Sequence, residues 1–359
     1  MDILTCLKEV SDSRQQSKIK YELSLILLFS IFAICSKADT FRKIAIYISS
    51  HFNILKESFG LSWESTPAYT TIRNVLNSSG KETLEESFRK NSISEIKEKT
   101  QLTIHVDGKT LRGSLSKDKA ASQVLNAFVS QTNSIIAHEF IEENKTNEIP
   151  KAQKMIKELG LKNCLYTFDA MHTQRETLKV IKQFKCDAIF QVKGNQEALL
   201  SACINRASVN TCHSYNKNKE KSHGRREKRE VWVYNNFCGY NKKIKKLWKG
   251  IKQIIMVKRT IDSQIEYSYY ISTKRENAKY YQKIVRSHWE VESTDHYVRD
   301  VALNEDKSKI RINPEICATL RSFAFNILSK LKPKKITNTD FMYYLTLNPH
   351  LLLLHSNSS

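Results

Sequence analysis

Two aspartates stand where short apolar runs end. In TIHVD (103–107) and LYTFD (165–169), β-branched, aromatic and aliphatic residues lead into Asp107 and Asp169. Runs of this length bounded by turn signals read as buried strands. A sheet buried on both faces needs helices to cover it. The neighbouring sequence supplies them. VLNAFVS (124–130) and SIIAHEFIE (134–142) read as hairpin-like strands. PKAQKMIKELG (150–160), CLYTFDA (164–170), TQRETLKVIKQFK (173–185) and DAIFQVK (187–193) then alternate helix, strand, helix, strand. Three strands followed by this alternation predict an α/β fold with a mixed sheet flanked by helices. On the first strand, Ile104 and Val106 share one face, and Thr103, His105 and Asp107 the other.

Composition narrows the partner. Lys+Arg number 58 against 37 Asp+Glu, a formal charge of +21 over 359 residues, while 40% hydrophobic and 26% charged residues are ordinary for a globular chain. That excess favours a polyanion, and DNA is the usual one. None of the eight cysteines forms a CxxC pair, which argues against a zinc ribbon and for reduced thiols in a cytoplasmic protein.

Residues 1–95 read as a helical domain. LSLILLFSIFAIC (23–35) is too short to span a bilayer, has a polar stretch ahead of it and lacks a small-residue cleavage site, so a buried helix is expected, with no membrane partner. Asp39 and Thr40 open FRKIAIYISSHFNILKESFG, which Gly60 closes. Thr66 and Pro67 open AYTTIRNVLN as cap and first helical residue, and KETLEESFRKN follows. Such a bundle is equally compatible with reading DNA ends and with a scaffold. A basic β-rich insertion is expected over about 207–275, with NKNKEKSHGRREKRE and NKKIKKLWKGIK among strand-like runs. Helices resume at ENAKYYQKIVRSHWEVESTDHYVRD (276–300) and PEICATLRSFAFNILSKL (314–331), leaving a short tail with a frayed end at 336–359.

Acids at strand ends suit two-metal phosphodiester chemistry, because Mg²⁺ prefers carboxylate oxygens and water. Taken singly, each aspartate reads as a loop cap. A third acid, Glu292, shares a helical stripe with His288, His296 and Arg299. That stripe also admits a zinc reading, but HxxxExxxH is not the well-attested HExxH pattern, and solvated polarity is the alternative; Trp289 and Val291 read as core contacts.

Five blocks in order give these residues a family. HVDGKTLRGS (105–114), KTNEI (145–149), TFDAMHTQRETLKVIKQFKCDAIFQVKGNQ (167–196), HGRRE (223–227) and SHWEVESTDHYVRDVALNEDKSKIR (287–311) resemble the signature blocks of DDE-type insertion-sequence transposases of the H-repeat-associated group. The run from SDSRQQSKIKYELSLILL to about Lys90 resembles the helical domain that precedes their catalytic domain. The resemblance implies a ribonuclease-H-like catalytic domain at 101–335. In that fold the first acid lies on the first strand, the second follows the fourth, and the glutamate sits on a helix after a β-rich insertion. It implies Asp107, Asp169 and Glu292 as catalytic metal ligands for two Mg²⁺ ions, with Mn²⁺ as a substitute. The implied partners are transposon-end and target DNA and a second copy of the chain in the DNA complex, at the bacterial nucleoid. In related transposases a tyrosine, an arginine and a basic residue accompany the glutamate; Arg299 fits that spacing, but Val285 and His288 stand at the tyrosine and arginine positions. Glu290 is a nearby competitor, about 200° away around the helix. Lys109, Arg112, Lys193, Asn195, Gln196, His223, Arg225, His288 and Arg299 are the candidate DNA contacts. A DNA-binding descendant without activity and a nuclease of the same fold remain open at this point.

Overall fold

A computed structural model describes residues 2–96, 101–115, 120–141, 148–209, 211–222, 225–235 and 242–357. The chain divides into two compact units. One comprises Met1–Lys99, Gly108–Thr146 and Glu292–Ser359, and the other Thr100–Asp107 and Asn147–Val291. Strand β1 (Thr103–Thr110) runs from the second unit into the first.

The first unit opens with α1 (Ile3–Leu7), α2 (Leu23–Cys35), α3 (Phe41–Ser50), α4 (Phe52–Phe59), α5 (Tyr69–Ser78) and α6 (Lys81–Ser94). It adds the antiparallel hairpin β2 (Gln123–Val129) and β3 (Ser134–Ile141), in the order β3-β2-β1. The α2 helix is apolar on every side and almost wholly buried. Burial all round is what such a helix requires in water, and no helix among the described residues is long and apolar enough to cross a membrane. Thr40 caps α3 through Lys43 N–H, and Gly60 (φ +60°) ends α4 in the left-handed conformation, both as expected. The long helix read across 41–60 breaks at His51, whose φ of −109° and ψ of 14° are not helical. The cap of α5 is Ala68, not Thr66, so Pro67 lies outside that helix.

The helical segment does not close a core of its own. Phe88 of α6 meets Phe323 edge-on at 4.8 Å, and Cys35 of α2 donates to the Ala324 carbonyl. His138 of β3 lies 2.7 Å from Glu85 and 2.8 Å from Ser322. Residues 323 and 324 belong to a C-terminal helix of 314–331, so N-terminal helices, hairpin and C-terminal helix share one interior.

The second unit carries α7 (Glu148–Leu159), β4 (Leu165–Phe168), α8 (Arg175–Gln183), β5 (Asp187–Val192) and α9 (Glu197–Ala207). It continues through β6 (Ser214–Ser222), β7 (Arg225–Asn235), α10 (Lys242–Leu247), β8 (Gln253–Ile261), β9 (Gln264–Ser272) and α11 (Ala278–Val291). Its sheet order is β1-β4-β5-β9-β8-β7-β6. β1, β4 and β5 are parallel, and β9 pairs antiparallel with β5. The β-rich segment therefore extends the sheet, and helix α10 lies within it. Val231, Val233, Ile255, Val257 and Tyr270 pack against Ala278, Tyr281, Ile284 and Val285 of α11. At roughly 25 cal/mol per Å² of apolar surface, that seam is the main stabilising contact of the helix.

Beyond α11 the first unit resumes. Residues 292–296 and 298–302 are π-helical, then come α12 (Pro314–Leu331), α13 (Asn338–Leu347) and α14 (His350–Asn357). Pro314 starts α12 at a position where its missing N–H costs nothing. The tail, expected to be short with a frayed end, carries two further helices.

Candidate active site

In the second unit, β1 and β4 pair in parallel with Val106 opposite Phe168. Asp107 and Asp169 each follow by one residue, so the two aspartates stand at the same level where the β1–β4 pairing stops; β1 itself continues to Thr110, while β4 ends at Phe168. Strand neighbours stand about 4.8 Å apart, which puts two carboxylate-bearing backbones side by side. Both residues are partly exposed, and the Asp169 side chain keeps 43% of its surface. Asp169 Oδ1 accepts from the backbone N–H groups of Met171 (3.1 Å) and His172 (3.4 Å), an Asx-type turn that fixes its rotamer.

Two residues back along each strand, on the same face, sit His105 and Thr167. His105 Nδ1 lies 2.6 Å from Thr167 Oγ1, which lies 2.7 Å from His288 Nδ1 of α11. The two rings meet edge-on at 5.5 Å. Burial, with the His288 charge adding, pushes His105 down to about 3. Burial likewise pushes His288 down to about 4, although Asp169 opposes the shift. Both imidazoles are neutral near pH 7, so the row beneath the aspartates adds no charge. It joins α11 to β1 and β4 by hydrogen bonds.

Other groups converge on the loop that follows β4. His172 is buried, with Nε2 3.6 Å from Glu148 and 4.0 Å from Asp169 Oδ1. Its Nδ1 is buried without a hydrogen-bond partner. Asn195 Nδ2 donates to the Ala170 carbonyl (2.7 Å) and Gln196 Nε2 to that of Thr173 (3.0 Å). The KGNQ turn after β5 thus braces the Asp169 loop, while Lys193 beside it is exposed. Sequence reasoning missed His105, Thr167, His172 and Glu148 as members of this cluster. The KTNEI block, which contains Glu148, was the available signal.

Several sequence candidates are placed otherwise. Lys109 is buried in the first unit, in an internal ion pair with Asp300 and 3.7 Å from Glu305. Arg299 has no exposed surface; it donates to Glu305 at 3.1 Å and lies 3.9 Å from Asp295. Burial pushes Asp295 up to about 6 despite that guanidinium, and neither carboxylate oxygen has a hydrogen-bond partner. His288 is hydrogen-bonded to Thr167. Arg112 does keep an exposed head, its side chain 78% accessible and 3.6 Å from Asp306. Trp289, expected in the core, is 46% exposed, whereas Val291 is buried. Within 292–302 the π-helical bonding changes the turn per residue, so the α-helical stripe from His288 to Arg299 is not kept. The side chains of Glu290, Glu292 and Arg225 lie outside the described residues, as does all of His223. Among the described residues no three His, Cys, Asp or Glu form a cluster able to hold a metal ion.

With that geometry established, sequence comparison gives the class. The Transposase DDE domain family matches residues 98–313, and its associated domain matches residues 4–91. The chain belongs to the DDE transposase family. Within it, the relatives are those of the H-repeat-associated group. "Putative transposase YncI" of Escherichia coli O157:H7 is 32% identical over 355 residues, spanning 93% of this chain and 88% of that one. "H repeat-associated putative transposase YhhI" of Escherichia coli strain K12 is 30% identical over 346 residues, spanning 90% and 89%. Among solved structures, a piggyBac transposase synaptic complex with hairpin DNA aligns with a TM-score of 0.45 at 12% identity, over 99% of this chain and 81% of that one.

Proposed function

We propose that this transposase cleaves transposon ends and joins the freed 3′-hydroxyl to target DNA, with Asp107, Asp169 and Glu292 as metal-binding catalytic residues in a ribonuclease-H-like domain. The observation that carries the reading is the register of β1 and β4, which brings an aspartate from each of two neighbouring parallel strands to the same level, just past their last paired residues. The chain order agrees: the first acid on β1, the second after β4, and the glutamate just past α11, which follows the β6–β9 segment. Glu292 stands one helical turn beyond His288, whose ring is hydrogen-bonded to Thr167 in the row beneath the aspartates.

Carboxylates are hard oxygen donors and suit Mg²⁺, with Mn²⁺ tolerated. When bound, a metal pair supplies activation of the attacking oxygen and stabilisation of the leaving one. The protein's part is to hold the donors still. Asp169 is fixed by its own turn, that turn is braced by Asn195 and Gln196, and the neutral His105–Thr167–His288 row ties helix to sheet without competing for anions. In the first reaction water attacks phosphorus and the P–O3′ bond breaks, leaving a 3′-hydroxyl and a 5′-phosphate. In the second that hydroxyl attacks a target phosphodiester, so that a new O3′–P bond replaces the target's own P–O3′ bond and the target strand leaves with a free 3′-hydroxyl. Cutting two ends together calls for two copies of the chain in the DNA complex.

The test is cleavage and joining of end DNA in Mg²⁺. Asp107→Asn, Asp169→Asn and Glu292→Gln should each abolish both reactions, while Glu290→Gln should not. A variant that cuts at the parental rate removes its residue from the ligand set, and three such variants overturn the mechanism. Cleavage by the parent without joining would assign a nuclease instead.

A further inference from the structure

Strand register sorts the β6–β9 segment into two unlike faces. Asn216, Val231 and Val257 point to the side covered by α11, where Asn216 is hydrogen-bonded to Gln282 and Glu220 is paired with Arg286. Tyr215, Trp232, Met256 and Tyr269 form a row on the opposite face. The next row outward is Lys217, Glu230, Lys258 and Tyr267, and beyond it stand Lys219 and Lys228. Among the described residues, helix α9 covers this face at its inner end, where Tyr234 donates to the Ala207 carbonyl and lies under the Arg206 guanidinium. Exposure rises outward: Tyr215 is 47% and Tyr267 51% accessible, and Lys217 and Lys219 are exposed. Among the described side chains of these rows, four lysines outnumber the one acid, Glu230, which Lys228 and Tyr215 already engage.

We propose that this face binds a single DNA strand, with Lys217, Lys219 and Lys258 on its phosphates and Tyr215 and Tyr267 as platforms for its bases. A positive groove with interleaved rings is the pattern that single strands occupy. Tyr215 is backed by Trp232 at 5.2 Å, and Lys258 lies 5.7 Å from the centre of the Tyr267 ring, so both rings are held in place. Lysines on an edge strand also guard against strand pairing between molecules, but Lys258 lies on β8, an interior strand, where no such guard is needed. The inference rests on the reading of the chain as a DNA-processing enzyme and names where the strand runs.

The test is fluorescence anisotropy of labelled oligo-dT and end duplex with the full-length chain in Mg²⁺-free buffer, across a salt series. Lys217→Glu, Lys219→Glu and Lys258→Glu combined should weaken oligo-dT binding at least tenfold and flatten the log–log salt slope by about 2 units, near 0.7 for each lost phosphate contact on a single strand. The same three positions changed to Arg should bind as the parent does, which separates charge from misfolding. Tyr215→Ala with Tyr267→Ala should weaken oligo-dT about tenfold or more, and duplex less, with the slope unchanged. Parental affinity and slope in the Glu variant would overturn the proposal while leaving the transposase reading intact. A loss confined to duplex would overturn the single-strand assignment. A parent that binds no DNA would overturn both readings.

Discussion

Lys109 stands two residues after Asp107, where sequence reasoning expects a phosphate contact and the structure places an ion pair. The perturbation is Lys109→Met, which keeps the aliphatic stem and removes the ammonium. Lys109 and Glu305 expose 4% and 3% of their side chains and Asp300 26%. Breaking a buried pair from one side costs about 3–5 kcal/mol, because the remaining carboxylate is left uncompensated. Here the lower end applies, since Glu305 keeps Arg299 at 3.1 Å and Asp300 reaches water. For a unit of this size each kcal/mol moves Tm by about 2–4 °C, so a loss of roughly 3 kcal/mol lowers it by about 6–12 °C. Lys109→Met with Asp300→Asn should recover part of that loss, since both ends of the pair become neutral together. Differential scanning calorimetry reads the effect, and added salt should change it little because the pair is shielded. An unchanged Tm, together with a DNA-binding salt slope flatter by about 0.9, would refute the ion-pair reasoning and restore the phosphate contact.

The neutral histidine row makes stability pH-dependent: His105 and His288 titrate near 3 and 4 when folded but near 6.5 when unfolded. Their contribution is complete above about pH 6.5 and is lost as pH falls toward 4, by about 3 kcal/mol for His288. Thermal melts of the parent and of His288→Gln should diverge in that window, and parallel curves would count against the burial argument. Gly113→Ala places a Cβ 2.6 Å from the Ser308 carbonyl and 2.7 Å from that of Glu305. Backbone cannot yield as a flexible side chain does, so urea titration should show a loss of about 1–3 kcal/mol, and a neutral result would mean the 305–308 loop moves freely.

Local periodicity made most elements legible. VLNAFVS and SIIAHEFIE became β2 and β3, PKAQKMIKELG became α7 with Gly160 at φ +60°, and LSLILLFSIFAIC became a helix buried on all sides. Each depends on residues within one or two turns of one another, which a linear reading can weigh. The helix break at His51, the two helices of the tail and the π-helical stretch after Glu292 were not legible, because packing rather than propensity sets them.

The site divides along the same line. Sequence alone determined that acids close two buried apolar runs, since an aspartate in that position can be read in place, although β1 continues past Asp107 to Thr110. Only the tertiary structure decided that β1 and β4 are neighbours in parallel register, because strand pairing depends on contacts across some sixty residues of chain. It also decided the fate of the basic residues. Lys109 and Arg299 look like any other cations in a chain of net charge +21, yet each is buried against carboxylates from distant positions or from an adjoining loop. Lys217 and Lys258 belong to different strands and share a face only once β6, β7 and β8 are aligned. A side chain's type is local, but whether it meets water, a carboxylate or a phosphate depends on what the fold brings opposite it.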